Sequence, residues 1–496
     1  MSAEAGGGRM LRAAVLASGQ IVASGAAIIT SAVLARLLSQ ADYGTYKQTL
    51  LAYGMAAPLL LMALPKVLYV FVPRQPERAR GLLWENLILL CLAASIFTGA
   101  LLLGGAEVLA RRFNNPDLAH TLRLYAPYPL FAFPVLALGG CLMVAQQVRT
   151  VAVFNVAGRL ALLVPILLIS FVFPTPEAAV LAAVGGAALM LLPGLWLMLR
   201  ATRGTQGHVT RAGLGEQLRF ALPLGLASAI GAFNLTLDKL VVSALTTPEQ
   251  YAIYANGAFE IPLIAVITGS VTAVMLPELS RLLAEGKGPE ALVIWRQSTV
   301  QSATLLLPAM CLLFGLAEPL IEVLYSARYL ESATPFRLYL LALPARIAIF
   351  GAIMMAAGQG RVILVRALGS LVLGLPLSLV LVHFLGPLGA ILATLAVLYA
   401  WTTPLNLRSV AAACGVPTAQ VLPFGALARI LAVAVLGGIV LIPHAFLGLP
   451  ALVDLVIFGP LYVIVTAGLL LKLGLVDPTL ARRVGNKLRR LARGKR

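Results

Sequence analysis

An all-α polytopic membrane protein is the fold class this sequence predicts, and three observations carry the prediction. Of its 496 residues, 60% are drawn from AVILMFWYC and only 11% are charged. Mean hydropathy is +0.95. A water-soluble domain carries roughly 25% charged residues to cover its surface, so most of these side chains face lipid. The third observation is spacing: apolar stretches of about 17–25 residues, long enough to cross ~30 Å of hydrocarbon, succeed one another along the chain. The 30 Pro and 45 Gly fit that solvent, because neighbouring helices satisfy the backbone groups they free.

About fourteen spans are expected, each bounded by charge or by a Pro/Gly break. The first, 11–36, lies between Arg12 and Arg36 and reads as a retained helix, being too long for a signal peptide and lacking a small-residue cleavage site. Spans 47–72 and 82–104 flank Arg74, Arg78 and Arg80; 122–147 and 150–173 meet at Arg149; 177–199 ends at Arg200. The turn 246–250 separates spans 217–245 and 251–277, and 298–325 follows Arg281, Lys287 and Arg296. Spans 336–358 and 361–384 meet at Arg361, 387–409 contains Arg408 near its end, and 424–446 and 450–473 complete the series.

These basic residues fall in alternate connections, which places those connections and both termini on the cytoplasmic side. The connections 174–176, 246–250, 385–386 and 447–449 between them hold no Lys or Arg, although Arg111, Arg112 and Arg328 are exceptions on that side. The net charge of +18 therefore sits in loops and in the tail 476–496, where anionic headgroups explain it and nucleic acid is not implied. Cys91, Cys141, Cys311 and Cys414 form no CxxC pair and have no partnered His, so neither metal site nor disulfide framework is expected. No loop is long, and GKS/GKT, HExxH and GxSxG arrangements are absent. The expectation is a non-enzyme without metal or organic cofactor.

An internal repeat sets the organisation. At an offset of 208, Leu37, Tyr43 and Tyr46 fall on Leu245, Tyr251 and Tyr254. At 212, Met143, Ala145, Gln147 and Arg149 fall on Met355, Ala357, Gln359 and Arg361, and Leu64-Pro65 on Leu276-Pro277. An even number of helices per copy makes the repeat parallel, an arrangement that encloses a central cavity for alternating access. The expected division is a six-helix bundle at 1–205, a second at 206–412, two accessory helices at 413–475 and a basic cytoplasmic tail at 476–496.

Charges inside spans mark functional candidates. The basic members are Lys66, Arg159, Lys239, Arg346 and Arg366, and the acidic ones Glu85, Asp238 and Glu260. A positive excess suits a phosphate or pyrophosphate. Arg346, deepest in its span, leads the substrate-binding candidates, followed by Lys239, Arg159 and Lys66. Lys66 and Arg366 lie nearer the inner ends, where snorkelling suffices to explain them. Asp238 and Glu260, at similar depth, are either a structural pair or coupling carboxylates. Asp238 and Lys239, adjacent in sequence, point ~100° apart on a helix and are not expected to be natural partners. Gln20, Ser24 and Ser31 form a mildly polar stripe on the first helix, lining a cavity or packing another helix.

The block ARLLSQADYGTY, the helix FALPLGLASAIGAFNLTLDKLVVSAL and the segment YAIYANGAFEIPLIAVITGSVTAVMLPELSRLLAEG resemble bacterial Wzx-type oligosaccharide flippases of the multidrug/oligosaccharidyl-lipid/polysaccharide exporter superfamily. The resemblance covers nearly the whole chain and weakens after about residue 405. It implies two six-helix bundles around a cavity plus two accessory helices in the bacterial inner membrane. The implied substrate is a polyprenyl-pyrophosphate-linked glycan turned to the outer leaflet, with a polysaccharide polymerase or chain-length machinery as partners. Peptidoglycan-precursor flippases of that superfamily carry arginines in the first helix, where this chain has Arg12 and Arg36 only at the ends. Its multidrug antiporters lean on acidic cavity residues. Both substrates therefore rank lower, as does a membrane glycosyltransferase or ligase.

Overall fold

A computed structural model describes residues 25–259 and 261–475. Among the described residues the chain is helical, with no strand. Among these residues ten helices are long and apolar enough to cross a membrane, or up to twelve if each of two bent pairs is one span. The remaining expected spans, 11–36 and 251–277, reach into residues outside that description, as does the tail 476–496.

In chain order the helices are α1 (Gly25–Leu37), α2 (Gln40–Leu61), α3 (Leu64–Arg74), α4 (Ala79–Ala100), α5 (Ala106–Arg112), α6 (Asp117–Tyr125), α7 (Tyr128–Val135) and α8 (Leu138–Val144). There follow α9 (Val148–Val172), α10 (Pro176–Ala201), α11 (Arg211–Leu245), α12 (Pro248–Gly257), α13 (Pro262–Ala284), α14 (Gly288–Gly315), α15 (Ala317–Tyr325) and α16 (Ala333–Leu340). The last are α17 (Leu343–Arg346), α18 (Phe350–Ala356), α19 (Gly360–Leu385), α20 (Leu388–Val397), α21 (Thr403–Cys414), α22 (Phe424–Gly437), α23 (His444–Leu447) and α24 (Ala451–Lys472).

The chain divides into two compact units, one running through Ala255 with Leu375–Ala390 added, the other holding Asn256–Gly374 and the residues from Ile391 onward. In the first unit α9 and α7 pack on α10, α3 packs on α8, and α11 lies against α2, α3 and α4. Its core is Val67, Leu68, Leu83, Leu90, Phe133 and Leu142. In the second, α13 packs on α14 and α18, and α14 on α22. There Leu279, Trp295, Ile353 and Val410 form one core, and Leu316, Leu441, Phe458 and Tyr462 a smaller one that holds α24. Leu92, Ile96, Leu168, Leu192 and Trp196 stay exposed, as side chains solvated by lipid do.

Local chemistry sets the helix ends, and the repeat reproduces it. Ser39 caps α2 by accepting from the Asp42 amide at 3.1 Å, while its hydroxyl donates to Asp42 Oδ2 at 2.7 Å. At the 208 offset the Gln250 amide donates to Thr247 Oγ1 at 3.4 Å and the Thr247 amide to Gln250 Oε1 at 3.3 Å, a reciprocal capping box on α12. Gly44 lies directly against the Pro248 backbone, so these two turns meet inside the first unit.

The second block agrees as closely. The α8–α9 break has the Ala145, Gln146 and Gln147 amides donating to Cys141, Met143 and Leu142 carbonyls; at the α18–α19 break Ala357, Gly358 and Gln359 donate to Ile353, Met355 and Met354. The left-handed residue is Gln146 (φ 60°) in one copy and Gly358 (φ 69°) in the other. The span preceding each break is itself bent, by 43° within 117–144 and 40° within 327–356. The Leu-Pro pair behaves differently in the two copies. Met62 and Ala63, both left-handed, separate α2 from α3 ahead of Pro65, whereas α13 runs through Pro277.

Candidate functional site

Glu85, in the first turns of α4, is fully buried, and its hydrogen-bond partners explain how a carboxylate is tolerated there. Arg78 lies at 3.2 Å, the Thr210 amide and hydroxyl at 2.9 and 3.0 Å, and Gln217 Nε2 at 3.2 Å. Gly213 leaves room for the carboxylate, because a Cβ there would meet Glu85 oxygens. Asn86, next in the chain, donates to the Leu64 carbonyl and to Gln217 Oε1, each at 3.0 Å. With its partners in place, this carboxylate fastens the start of α11 to α4.

A second polar group of the first unit lies toward the Ser39 and Thr246 ends of α2 and α11. Lys47 is about 10 Å along α2 from its start and Lys239 about 9 Å from the end of α11, at 1.5 Å per residue. Each is half-buried, and the two ammonium groups are within electrostatic range of one another. Lys47 Nζ donates to Ser31 Oγ on α1 at 2.9 Å and sits 5.2 Å from the Tyr43 ring centroid. Asp238 is buried, accepting from the Tyr254 hydroxyl at 2.9 Å and pairing with Lys239 Nζ at 3.3 Å. That pairing corrects the expectation that adjacent residues on a helix would not meet. The flexible four-carbon lysine stem bridges the angular separation of the two Cβ atoms.

Farther along α2, Tyr53 joins an aromatic cluster packed in the first unit, where Phe97 and Phe133 also meet it, at 6.0 and 6.2 Å. Tyr125 and Tyr128, on either side of the α6–α7 bend, stack at 4.6 Å with 14° between planes. Tyr53 of α2 meets both edge-on, at 5.6 and 5.1 Å. Tyr46 and Arg159 are both within electrostatic range of Tyr128. Arg159 is near the middle of α9 and exposed, and among the described residues it makes no hydrogen bond or ion pair. Asn155, one turn earlier, is exposed as well, so α9 carries a short polar face.

The other candidates lie elsewhere. Lys66 is exposed in the first turn of α3. Arg346, in the second unit, is half-buried at the end of α17, with its guanidinium carbon 5.7 Å from the Tyr339 ring centroid. Arg366 does not snorkel: its guanidinium turns inward to Asn406 on α21 and to Met354 Sδ at 3.5 Å. Glu260 is outside the described residues. Of the sequence candidates, the structure brings Lys239 and Asp238 together; Arg159 and Lys66 share the first unit with them, and Arg346 lies in the second. The structure adds Lys47, Tyr53, Tyr125, Tyr128 and Tyr254, which sequence reasoning missed. Lys47 escaped because its span was started at residue 47; the Ser39-x-x-Asp42 cap signature shows the helix beginning nearly two turns earlier. No sequence spacing links Tyr53 to Tyr128.

Residues 12–283 match the family described as polysaccharide biosynthesis protein. Among curated proteins, a 143-residue stretch is 29% identical to the "Probable lipid II flippase MurJ" of Rhizobium meliloti (strain 1021), covering 28% of this chain and 26% of that protein. The match therefore spans about a quarter of that relative's length. Among solved structures, the lipid II flippase MurJ in its inward closed conformation is similar at a TM-score of 0.68 and 17% identity, over 91% of this chain and 99% of that one. An inward-facing multidrug resistance MATE family transporter of the MOP superfamily follows at 0.61 and 15%, over 79% and 95%. With more than half its residues matched, the chain belongs to the polysaccharide biosynthesis protein family, and it shares its fold with those flippase and transporter structures along most of its length.

Proposed function

We propose that the protein is a flippase of the bacterial inner membrane, moving polyprenyl-pyrophosphate-linked oligosaccharide units from the cytoplasmic to the outer leaflet for surface polysaccharide synthesis. The observation that carries this reading is the lysine pair Lys47 and Lys239, set within spans and flanked by tyrosines. Asp238 compensates the Lys239 ammonium, so the two lysines leave one positive charge over, which attracts an anion more strongly in a low dielectric than in water. A pyrophosphate supplies two negative charges on adjacent groups. Arg346 and Lys66 are further candidate headgroup contacts, Asp238 and Glu260 candidate coupling carboxylates, and a polymerase or chain-length protein a candidate partner. The proposed mode of transport is alternating access, with both termini cytoplasmic.

A second reading, a lipid-linked peptidoglycan precursor as substrate, is favoured by the name of the Rhizobium meliloti relative. The two differ in the saccharide carried. Mass spectrometry of polyprenyl-pyrophosphate glycans from a depletion strain beside its parent tests the proposal. Complete oligosaccharide units should accumulate on lipid while surface polysaccharide falls. Accumulated peptidoglycan precursor with normal polysaccharide would support the second reading instead, and truncated glycans would return the protein to sugar addition.

A further inference from the structure

Pro344 lies inside the span 336–358, where it offers no amide to the Leu340 carbonyl and sets its ring against it. The span breaks accordingly, α16 ending at Leu340 and α17 starting at Leu343. A break within the bilayer leaves backbone carbonyls that water does not reach. Here the carbonyl of Leu341 is met from another span, by the Tyr399 hydroxyl, which donates to it at 2.6 Å. The amide of Ala345, four residues on, lies against the same hydroxyl. Tyr399 therefore occupies the place of the hydrogen bond that would join Ala345 to Leu341 in a straight helix, and a side chain inserted into that ladder bends it.

Tyr399 reaches the break from a widened turn. Pro404 has no amide for Ala400, and the chain winds over Leu398–Thr402 so that the Thr403 amide donates to the Leu398 carbonyl, five residues back. The ring of Tyr399 is exposed, so its hydroxyl is what ties it to the bend. The first repeat meets the same need with a different donor, the Thr98 hydroxyl of α4 donating to the Ala126 carbonyl between α6 and α7 at 2.7 Å. Particular to the second repeat is what the bend carries. Tyr339 on α16 and Arg346 at the end of α17 lie on opposite sides of the break. In a straight helix, residues seven apart stand about 10 Å apart along the axis, yet here the guanidinium carbon is 5.7 Å from the ring centroid.

Resting on the reading above that Arg346 contacts the pyrophosphate, we propose that Tyr399 is its positioning residue: the hydroxyl held in the break fixes the angle at which α17 presents Arg346, against Tyr339, to the headgroup. A guanidinium already held by backbone angle and ring loses less freedom when it binds. Without the hydroxyl, the Leu341 carbonyl and the Ala345 amide lose their shared partner and the break relaxes. Tyr399 acts through Arg346 and makes no headgroup contact of its own.

Two measurements on the full chain in lipid nanodiscs test this, the first without ligand. Nitroxides on Glu331→Cys and Met355→Cys, both exposed positions near the ends of the bent span, report its shape by double electron–electron resonance in a background freed of native cysteines. Tyr399→Phe, which removes the hydroxyl and keeps the ring, should broaden or shift the narrow distance distribution expected with Tyr399 in place. The second measurement is affinity for citronellyl pyrophosphate. Tyr399→Phe should weaken it about fivefold and Arg346→Gln about tenfold. The double variant should be no weaker than Arg346→Gln, because a residue that acts through another adds nothing once the other is gone.

An unchanged distance distribution in Tyr399→Phe, or affinity equal to wild type, overturns the positioning role. So does a double variant weaker than Arg346→Gln by the full fivefold, which makes the hydroxyl independent of Arg346. Arg346→Gln binding as tightly as wild type, or no binding by the wild type at all, overturns the headgroup reading of Arg346 and the positioning role with it. The distance measurement then shows separately whether the hydroxyl holds the bend.

Discussion

At the scale of residues, the first unit handles its intramembrane charges in two ways. Glu85 is buried and given the partners its carboxylate needs, in Arg78, Thr210 and Gln217. Glu85→Ala should lower stability by roughly 3 kcal/mol, because it leaves a guanidinium and several donors without their acceptor. Thermal unfolding in detergent checks this, and Glu85→Gln, which keeps part of the network, should fall between the two. Asp238 is held by Tyr254 at 2.9 Å; Tyr254→Phe should cost about 1.5–3 kcal/mol, as hydrogen bonds to charged groups do. Lys47, Lys239 and Arg159 are less buried: Lys47 donates to Ser31, Lys239 pairs with Asp238, and Arg159 is exposed on α9. Lys47→Gln, unlike Glu85→Ala, should spare unfolding temperature and reduce transport, whereas Lys239→Gln, which takes a partner from buried Asp238, should lower both.

At the scale of elements, two features of the repeat fix where helices turn. The left-handed residue at the α18–α19 break is Gly358, so Gly358→Ala should destabilise by about 1 kcal/mol, measurable as a lower unfolding temperature. Gly44 permits the contact between the α2 start and the Pro248 backbone. Gly44→Val adds bulk against backbone that cannot yield, and loss of folded protein on size exclusion is the expected outcome. These breaks show what the sequence made legible and what it hid. The match of Met143–Arg149 with Met355–Arg361 was visible as residue identities, and it proved to be a shared hydrogen-bond pattern. The limits of spans such as 150–173, 177–199 and 450–473 were visible to within a few residues because hydropathy reports lipid contact, whereas 47–72 and 298–325 were started well after the helices at Gln40 and Gly288 begin. The bends within 117–144 and 327–356 were not, since a bent span and a straight one have the same composition. Arg366 was misjudged for a related reason: depth can be counted along a chain, but the direction in which a long side chain turns depends on what a neighbouring helix offers, here Asn406.

At the scale of the whole molecule, the account joins an exporter fold to a chemistry of recognition. Composition was enough to place the chain in lipid, and the blocks quoted from just after the first span and from the seventh and eighth were enough to suggest the superfamily. The candidate site was only half legible. Lys239 and Arg159 stood out as charges in apolar runs, while Tyr53, Tyr125 and Tyr128 look like any aromatic residue of a membrane helix until folding brings α2 and the α6–α7 bend together. The central claim is that the protein carries a pyrophosphate-linked saccharide between leaflets using the lysine pair. Its most direct test is a leaflet-accessibility assay in proteoliposomes, with a nitrobenzoxadiazole-labelled citronellyl pyrophosphate disaccharide in both leaflets and dithionite added outside. The account predicts nearly complete bleaching with wild-type protein and about half with Lys47→Gln/Lys239→Gln, matching protein-free liposomes. Bleaching of only half with folded wild-type protein, or complete bleaching with the double variant, would contradict it.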